Sequence, residues 1–172
     1  MRAWTFAAAL LLAVAPAAAQ ELVIINNPAE PQVNGAKARL RDDPAVQGGK
    51  AMRIPVRRRG ANPWDIAVQT AIDKPVKAGD TLVFAFSARL EEGEDGATEG
   101  TLPYIAVQLS AEPYTTLFSG QSTIGPEWKM VEVRGKADAD HAPGTLNATI
   151  HLASAAQTVE FGPLIVVDLG PE

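Results

Sequence analysis

The chain has 172 residues, no cysteine, 15 lysines and arginines against 20 aspartates and glutamates, and a formal net charge of −5. The missing thiols exclude disulfides, thiolate metal sites, a thiol nucleophile and a lipid-bearing N-terminal cysteine. The acidic balance argues against nucleic acid as a partner, because phosphate binding requires a basic footprint.

Arg2 is followed by an almost wholly apolar run, Ala3 to Ala15, too short to cross a bilayer as a helix. Pro16 breaks it, and Ala17-Ala18-Ala19 fits the small-x-small cleavage rule. Residues 1–19 are thus expected to be a signal peptide cut after Ala19. The Ala-rich leader has a bacterial look, so the expected location is the periplasm or the medium. No second apolar run of membrane length follows, and no membrane association is expected after cleavage. Residues 20–172 read as one domain, with 20–47 an irregular lead-in carrying the first strands.

Beyond the leader, short runs of alternating apolar residues recur every 8 to 15 residues or so, bounded by Gly, Pro, Asn and Asp. This spacing predicts an all-β chain folded as a β-sandwich jelly roll. The expected strands are 22–25, 38–40, 51–56, 65–72, 81–90, 102–110, 115–123, 129–136, 145–152 and 158–168. The stretch from Asn26 to Asn34 is expected to wrap the sandwich irregularly. Leu82, Phe84, Phe86, Ala88 and Leu90 share one parity of their strand. Ile105, Val107 and Leu109 oppose Tyr104, Ala106, Gln108 and Ser110, and Ala148, Ile150 and Leu152 oppose Asn147, Thr149 and His151. A period of two with one apolar face places one side of each strand in a core. Glu91 to Gly100, acidic and rich in glycine, is expected to be a mobile solvated loop.

The search for chemistry is mostly negative. His141 lies in an Asp-Ala-Asp-His-Ala-Pro-Gly loop and reads as a turn residue; no His-rich metal motif and no Gly-x-Ser-x-Gly elbow occurs. Glycoside hydrolysis needs two carboxylates about 5 to 9 Å apart. Asp65, Glu127, Glu132, Glu160 and Asp168 are the candidates, and sequence places no two of them opposite each other. The one basic run, Arg57-Arg58-Arg59, is either an exposed strand end or an arginine offered to a ligand beside Trp64. Guanidinium forks suit carboxylates and vicinal hydroxyls. Trp128 reads as core or edge packing. Trp64, directly after a turn, either caps the core or stands at an edge where a pyranose can stack on it.

Several segments in order carry a resemblance: Gly48-Gly49-Lys50-Ala51-Met52-Arg53-Ile54, Pro63-Trp64-Asp65-Ile66, Ala78-Gly79-Asp80-Thr81-Leu82 leading into Phe84-Ala85-Phe86-Ser87-Ala88-Arg89, Glu127-Trp128-Lys129, and Val159-Glu160-Phe161-Gly162-Pro163. Over roughly residues 48–170 the chain resembles the CenC-like and xylan-binding type of carbohydrate-binding module, found attached to bacterial xylanases. The resemblance implies a galactose-binding-like jelly roll that holds a polysaccharide or oligosaccharide in a groove on one sheet. It also implies sugar contacts near Arg59, Trp64, Tyr104 and His151. Strand parity adds Gln69, Arg89 and Gln108, which share the polar side with Tyr104 and His151; whether their strands share a sheet is left open. The last strand lacks the family's Asp-Asp pair, so its structural calcium finds no support and no cofactor is expected. With no catalytic segment in view, the expected role is an exported, non-enzymatic polysaccharide binder, with a separate glycoside hydrolase as a candidate partner. A protein-interaction sandwich that has lost its sugar site is the alternative, and a small glycoside hydrolase the third reading.

Overall fold

The structure, a computed structural model, describes residues 22–171; the expected signal peptide and its cleavage site lie outside the described residues. Twelve strands follow in order: β1 (Val23–Ile24), β2 (Gln32–Asn34), β3 (Arg39–Asp42), β4 (Lys50–Val56), β5 (Ala67–Ile72), β6 (Asp80–Glu92), β7 (Gly100–Leu109), β8 (Thr116–Ile124), β9 (Lys129–Lys136), β10 (Leu146–His151), β11 (Gln157–Phe161) and β12 (Ile165–Pro171). They form two antiparallel sheets stacked as a jelly-roll sandwich. The seven-stranded sheet runs β1-β12-β6-β11-β4-β3, with β9 on the free side of β6; the five-stranded sheet runs β2-β5-β10-β7-β8.

The alternating strands behave as their period dictates. Leu82, Phe84, Phe86 and Ala88 of β6 are essentially inaccessible, and they meet Leu102, Ile105, Val107, Ala148 and Ile150 of the smaller sheet. Burying one such side chain stabilises a fold by roughly 1.5–3 kcal/mol. Because the two inner faces absorb the large apolar residues, the opposite parity of each strand faces outward.

Three expectations are corrected. The single strand predicted over 158–168 is two, β11 and β12. Gly162-Pro163 interrupts it: the Gly162 amide donates to the Ser87 carbonyl at 2.9 Å, and proline has no amide to donate. Both pieces stay on the same side of β6, with Phe161 opposite Ala88 and Ile165 opposite Ala85. The supposedly irregular 26–34 segment contains β2, which pairs with β5. It also contains Asn26, whose amide donates to Thr70 Oγ1 at 3.0 Å and to the Leu164 carbonyl at 2.9 Å, and accepts from the Val166 amide at 2.8 Å. One buried side chain thereby links the two sheets. Finally, the loop expected over 91–100 is shorter, since β6 extends to Glu92, a 3₁₀ turn covers Glu94–Gly96, and β7 begins at Gly100.

Candidate functional site

The outward face of the five-stranded sheet is organised in rows. In one, Asn34, Ala67, His151 and Tyr104 lie side by side on β2, β5, β10 and β7. In the next, Gln32, Gln69, Thr149, Ala106 and Ser119 do. In the third, Ala71, Asn147 and Gln108 do. Small residues in the middle, Ala67, Ala106 and Thr149, leave a buried floor below taller neighbours. The result is a groove of about 850 Å³.

Trp64 reaches the groove from the turn that starts β5, Tyr114 from the loop that leaves β7, at opposite ends of the antiparallel strands. The Trp64 turn is a short 3₁₀ segment, Pro63–Asp65. Its start is capped by the Asn62 amide donating to Asp65 Oδ2 at 3.0 Å, and that hydrogen bond holds the Asp65 carboxyl below its ordinary value. The turn is fastened to the chain leaving β10, because Ala153 donates to the Pro63 carbonyl at 3.0 Å and Leu152 to Ile66 at 2.9 Å. Trp64 is 59% exposed, which settles its role as an edge residue and not a core cap. Tyr114 is 51% exposed.

Between them the rings are packed. Tyr104 stacks on His151 with centroids 4.5 Å apart, and Trp64 meets the other side of the cluster edge-on at 6.1 Å from His151. Burial pushes the His151 imidazole below its ordinary pKa. The Tyr104 hydroxyl donates to Gln108 Oε1 at 3.1 Å and lies 2.6 Å from Thr116 Oγ1. Asn147 donates its amide to Gln69 Oε1 at 3.2 Å, which turns the Gln69 nitrogen into a spare donor. Asn147 Oδ1 is buried without a partner among the described residues. The groove thus offers apolar ring faces beside side-chain amides and hydroxyls.

Of the seven residues expected at the site, the structure brings five together: Trp64, Gln69, Tyr104, Gln108 and His151. Arg89 and Arg59 lie elsewhere. Arg89 belongs to β6 in the other sheet, where it donates to Glu160 Oε2 at 2.6 Å and Asp43 Oδ2 at 3.0 Å and sits 4.6 Å over the Trp128 ring. Its parity is polar, as predicted, but its strand faces the opposite side of the sandwich. Arg59 pairs with Glu94 at 3.4 Å beside a separate crease that shares only Pro103 with the groove. Trp128, half-buried under Arg89, is edge packing. The sequence reading missed Tyr114, Asn34 and Thr149. A Glu-Pro-Tyr gap between two strands was the available signal for Tyr114.

None of the five candidate catalytic carboxylates lines the groove. Glu160 is fully buried between Arg41 and Arg89. Asp65 caps its turn, and Asp168 is held by the Gly170 amide at 2.7 Å. Among the described residues no group of three or more His, Asp or Glu side chains is placed to hold a metal ion.

No protein-family model matches the chain, and no curated protein matches it by sequence. Solved structures do share its fold. A CBM4 domain superposes with a TM-score of 0.60 at 19% identity, over 83% of this chain and 88% of the other. The CBM22-1 xylan-binding domain of Paenibacillus barcinonensis Xyn10C gives 0.57 at 13% identity, over 90% of this chain and all (100%) of that one. The N-terminal cellulose-binding domain of Cellulomonas fimi β-1,4-glucanase C gives 0.57 at 14%, over 83% and 90%. The jelly roll is therefore that of the CBM4 and CBM22 modules, as the sequence resemblance implied.

Proposed function

We propose that the protein is an exported, non-catalytic carbohydrate-binding protein that holds a polysaccharide chain in the groove of its five-stranded sheet. One observation carries the reading: two large aromatic side chains, Trp64 and Tyr114, stand exposed at opposite ends of a groove floored by small residues. Leaving an indole in water forgoes burial of a large apolar surface, and a pyranose supplies that surface with its axial C–H face. The sugar hydroxyls then find the Gln69 nitrogen, Gln108 and Thr149 on the floor and walls. Apolar area with a few placed polar groups is the usual composition of a small-ligand site.

Xylan and cellulose binding by proteins of the same fold supports a β-linked polysaccharide as the ligand class. The absence of acidic residues from the groove lining argues against hydrolysis there, and its exposed rings argue against a sandwich that has lost its sugar site. Export is supported by the leader-like first 19 residues.

The test is retention of the folded domain on xylan, cellulose, β-glucan, mannan and pectin in affinity gels, with Trp64→Ala alongside. The wild type is expected to bind one of them with micromolar to millimolar affinity, about 4–8 kcal/mol. The variant is expected to lose retention while its urea midpoint stays within about 0.5 kcal/mol of wild type, as for an exposed side chain. A variant that unfolds, or one that binds as well as wild type, contradicts the assignment.

A further inference from the structure

Around the edge of the sheet from Trp64, beyond β2, lies a second depression of about 580 Å³. Lys37, Arg57 and Arg58 line it, together with Gly35, Pro55 and Ile66, and no carboxylate does. All three cations are exposed, and none has an ion-pair partner among the described residues. Four of the other arginines are consumed in ion pairs. Arg41 and Arg53 pair with Glu91, Arg59 with Glu94, and Arg89 with Glu160 and Asp43. A chain with five more acids than bases has no shortage of carboxylates. Three unpaired cations around one hollow with no carboxylate in its lining are a local concentration of positive charge on an acidic chain.

The hollow adjoins the groove. Asn34 closes the groove at the β2 edge, and the next residue, Gly35, opens the hollow. On the other side Trp64 belongs to the groove and Ile66 to the hollow, with the backbone of Asp65 between them. Gly35 and Asp65 are in close contact: a Cβ on Gly35 would stand 1.9 Å from the Asp65 carbonyl oxygen. A ligand that leaves the groove over this low ridge meets Lys37 and the two guanidinium groups.

We propose that this hollow is an anion subsite, taking the carboxylate of a uronic acid carried by the glycan that the groove holds. The proposal rests on the carbohydrate reading of the groove and names the substrate class: an acidic, uronate-substituted polysaccharide. Two arginine forks can each offer parallel N–H donors to a carboxylate, and the lysine adds a point charge. The field acts only at short range, since exposed charges are screened within about 8 Å at physiological salt. Selection therefore falls on a substituent placed beside the groove, and the acidic molecule as a whole still repels polyanions that cannot dock.

The experiment compares a glucuronic-acid-substituted xylan with the same polymer after carboxyl reduction. Both are titrated against wild type, Trp64→Ala and the triple variant Lys37→Gln/Arg57→Gln/Arg58→Gln. Wild type is expected to bind the acidic polymer about fivefold more tightly than the reduced one, an advantage that shrinks with added salt. The triple variant is expected to bind both polymers equally, at the wild-type level for the reduced form. Equal binding of both polymers by wild type overturns the anion subsite and leaves the groove standing, as does a preference that survives in the triple variant. If Trp64→Ala keeps the acidic polymer and the triple variant loses it, the subsite stands and the groove reading falls. Retention of neither polymer by wild type overturns the uronate-xylan assignment, and retention of none of the five glycans above overturns the groove reading with it.

Discussion

His151 lies between two rings, stacked on Tyr104 and edge-on to Trp64, and its burial lowers the imidazole pKa. It is therefore neutral at pH 7. As the pH falls through the ordinary value of 6.5, the unfolded chain takes up a proton that the folded ring still resists. Stability then declines with falling pH and levels off only once the folded imidazole is also protonated. Urea melts at stepped pH are expected to show this decline in wild type and its loss in His151→Gln; an unchanged slope in the variant contradicts it. Glycan retention is expected to weaken over the same range, because covering the half-buried ring with ligand costs more when the ring carries a charge. His151, Tyr104, Gln69 and Gln108 were legible in the sequence, since a period of two states which residues share a strand face. The same logic misled at Arg89. Parity says which side of a strand a residue takes, and it carries no information about which sheet that strand joins. Tyr114 was missed for another reason: its Glu-Pro-Tyr gap marks a turn, but loops have no period, so nothing in the pattern aims a loop side chain.

The turn that presents Trp64 depends on a close approach between two backbones. Gly35 has φ +75°, and any Cβ there would collide with the Asp65 carbonyl. Gly35→Ala is expected to force the 63–65 turn away from β2, with a cost of about 1–3 kcal/mol in thermal or urea melts. Retention on the glycan should fall further than the stability loss explains, because the displaced turn carries the indole with it. Glycan binding at wild-type strength in this variant contradicts the coupling. At this scale the long strands were readable and the short ones were not. β6, with thirteen residues, shows an unbroken alternation, whereas β2 is three residues after a proline, too short for any period to register. The break between β11 and β12 falls at Gly162-Pro163. That signal was visible, but the apolar residues on both sides masked it.

Taken whole, the sandwich has one face that carries the groove and one given over to ionic cross-linking. On the outer side of the larger sheet Glu160 is fully buried, with Arg41 Nε at 2.9 Å from one oxygen and Arg89 at 2.6 Å from the other, and Arg53 shares Glu91 with Arg41. Removing one member of such a set strands the others without their counter-charge. Glu160→Ala is therefore expected to cost about 3–5 kcal/mol, read as a lowered urea midpoint with no selective effect on glycan affinity among molecules that remain folded. A loss below about 1 kcal/mol would show that water satisfies the arginines as well as the carboxylate does. The class of architecture was legible from strand spacing and composition, but strand order was not, because local patterning says nothing about pairing between distant segments. That order sets a schedule. β1 pairs with β12, so Val23 waits for Asp168, and the last two strands of the sandwich, β11 and β12, occupy the interior of the larger sheet. That sheet cannot close before β11 and β12 have left the ribosome. Until then the larger sheet lacks two interior members, and the nascent domain stays open.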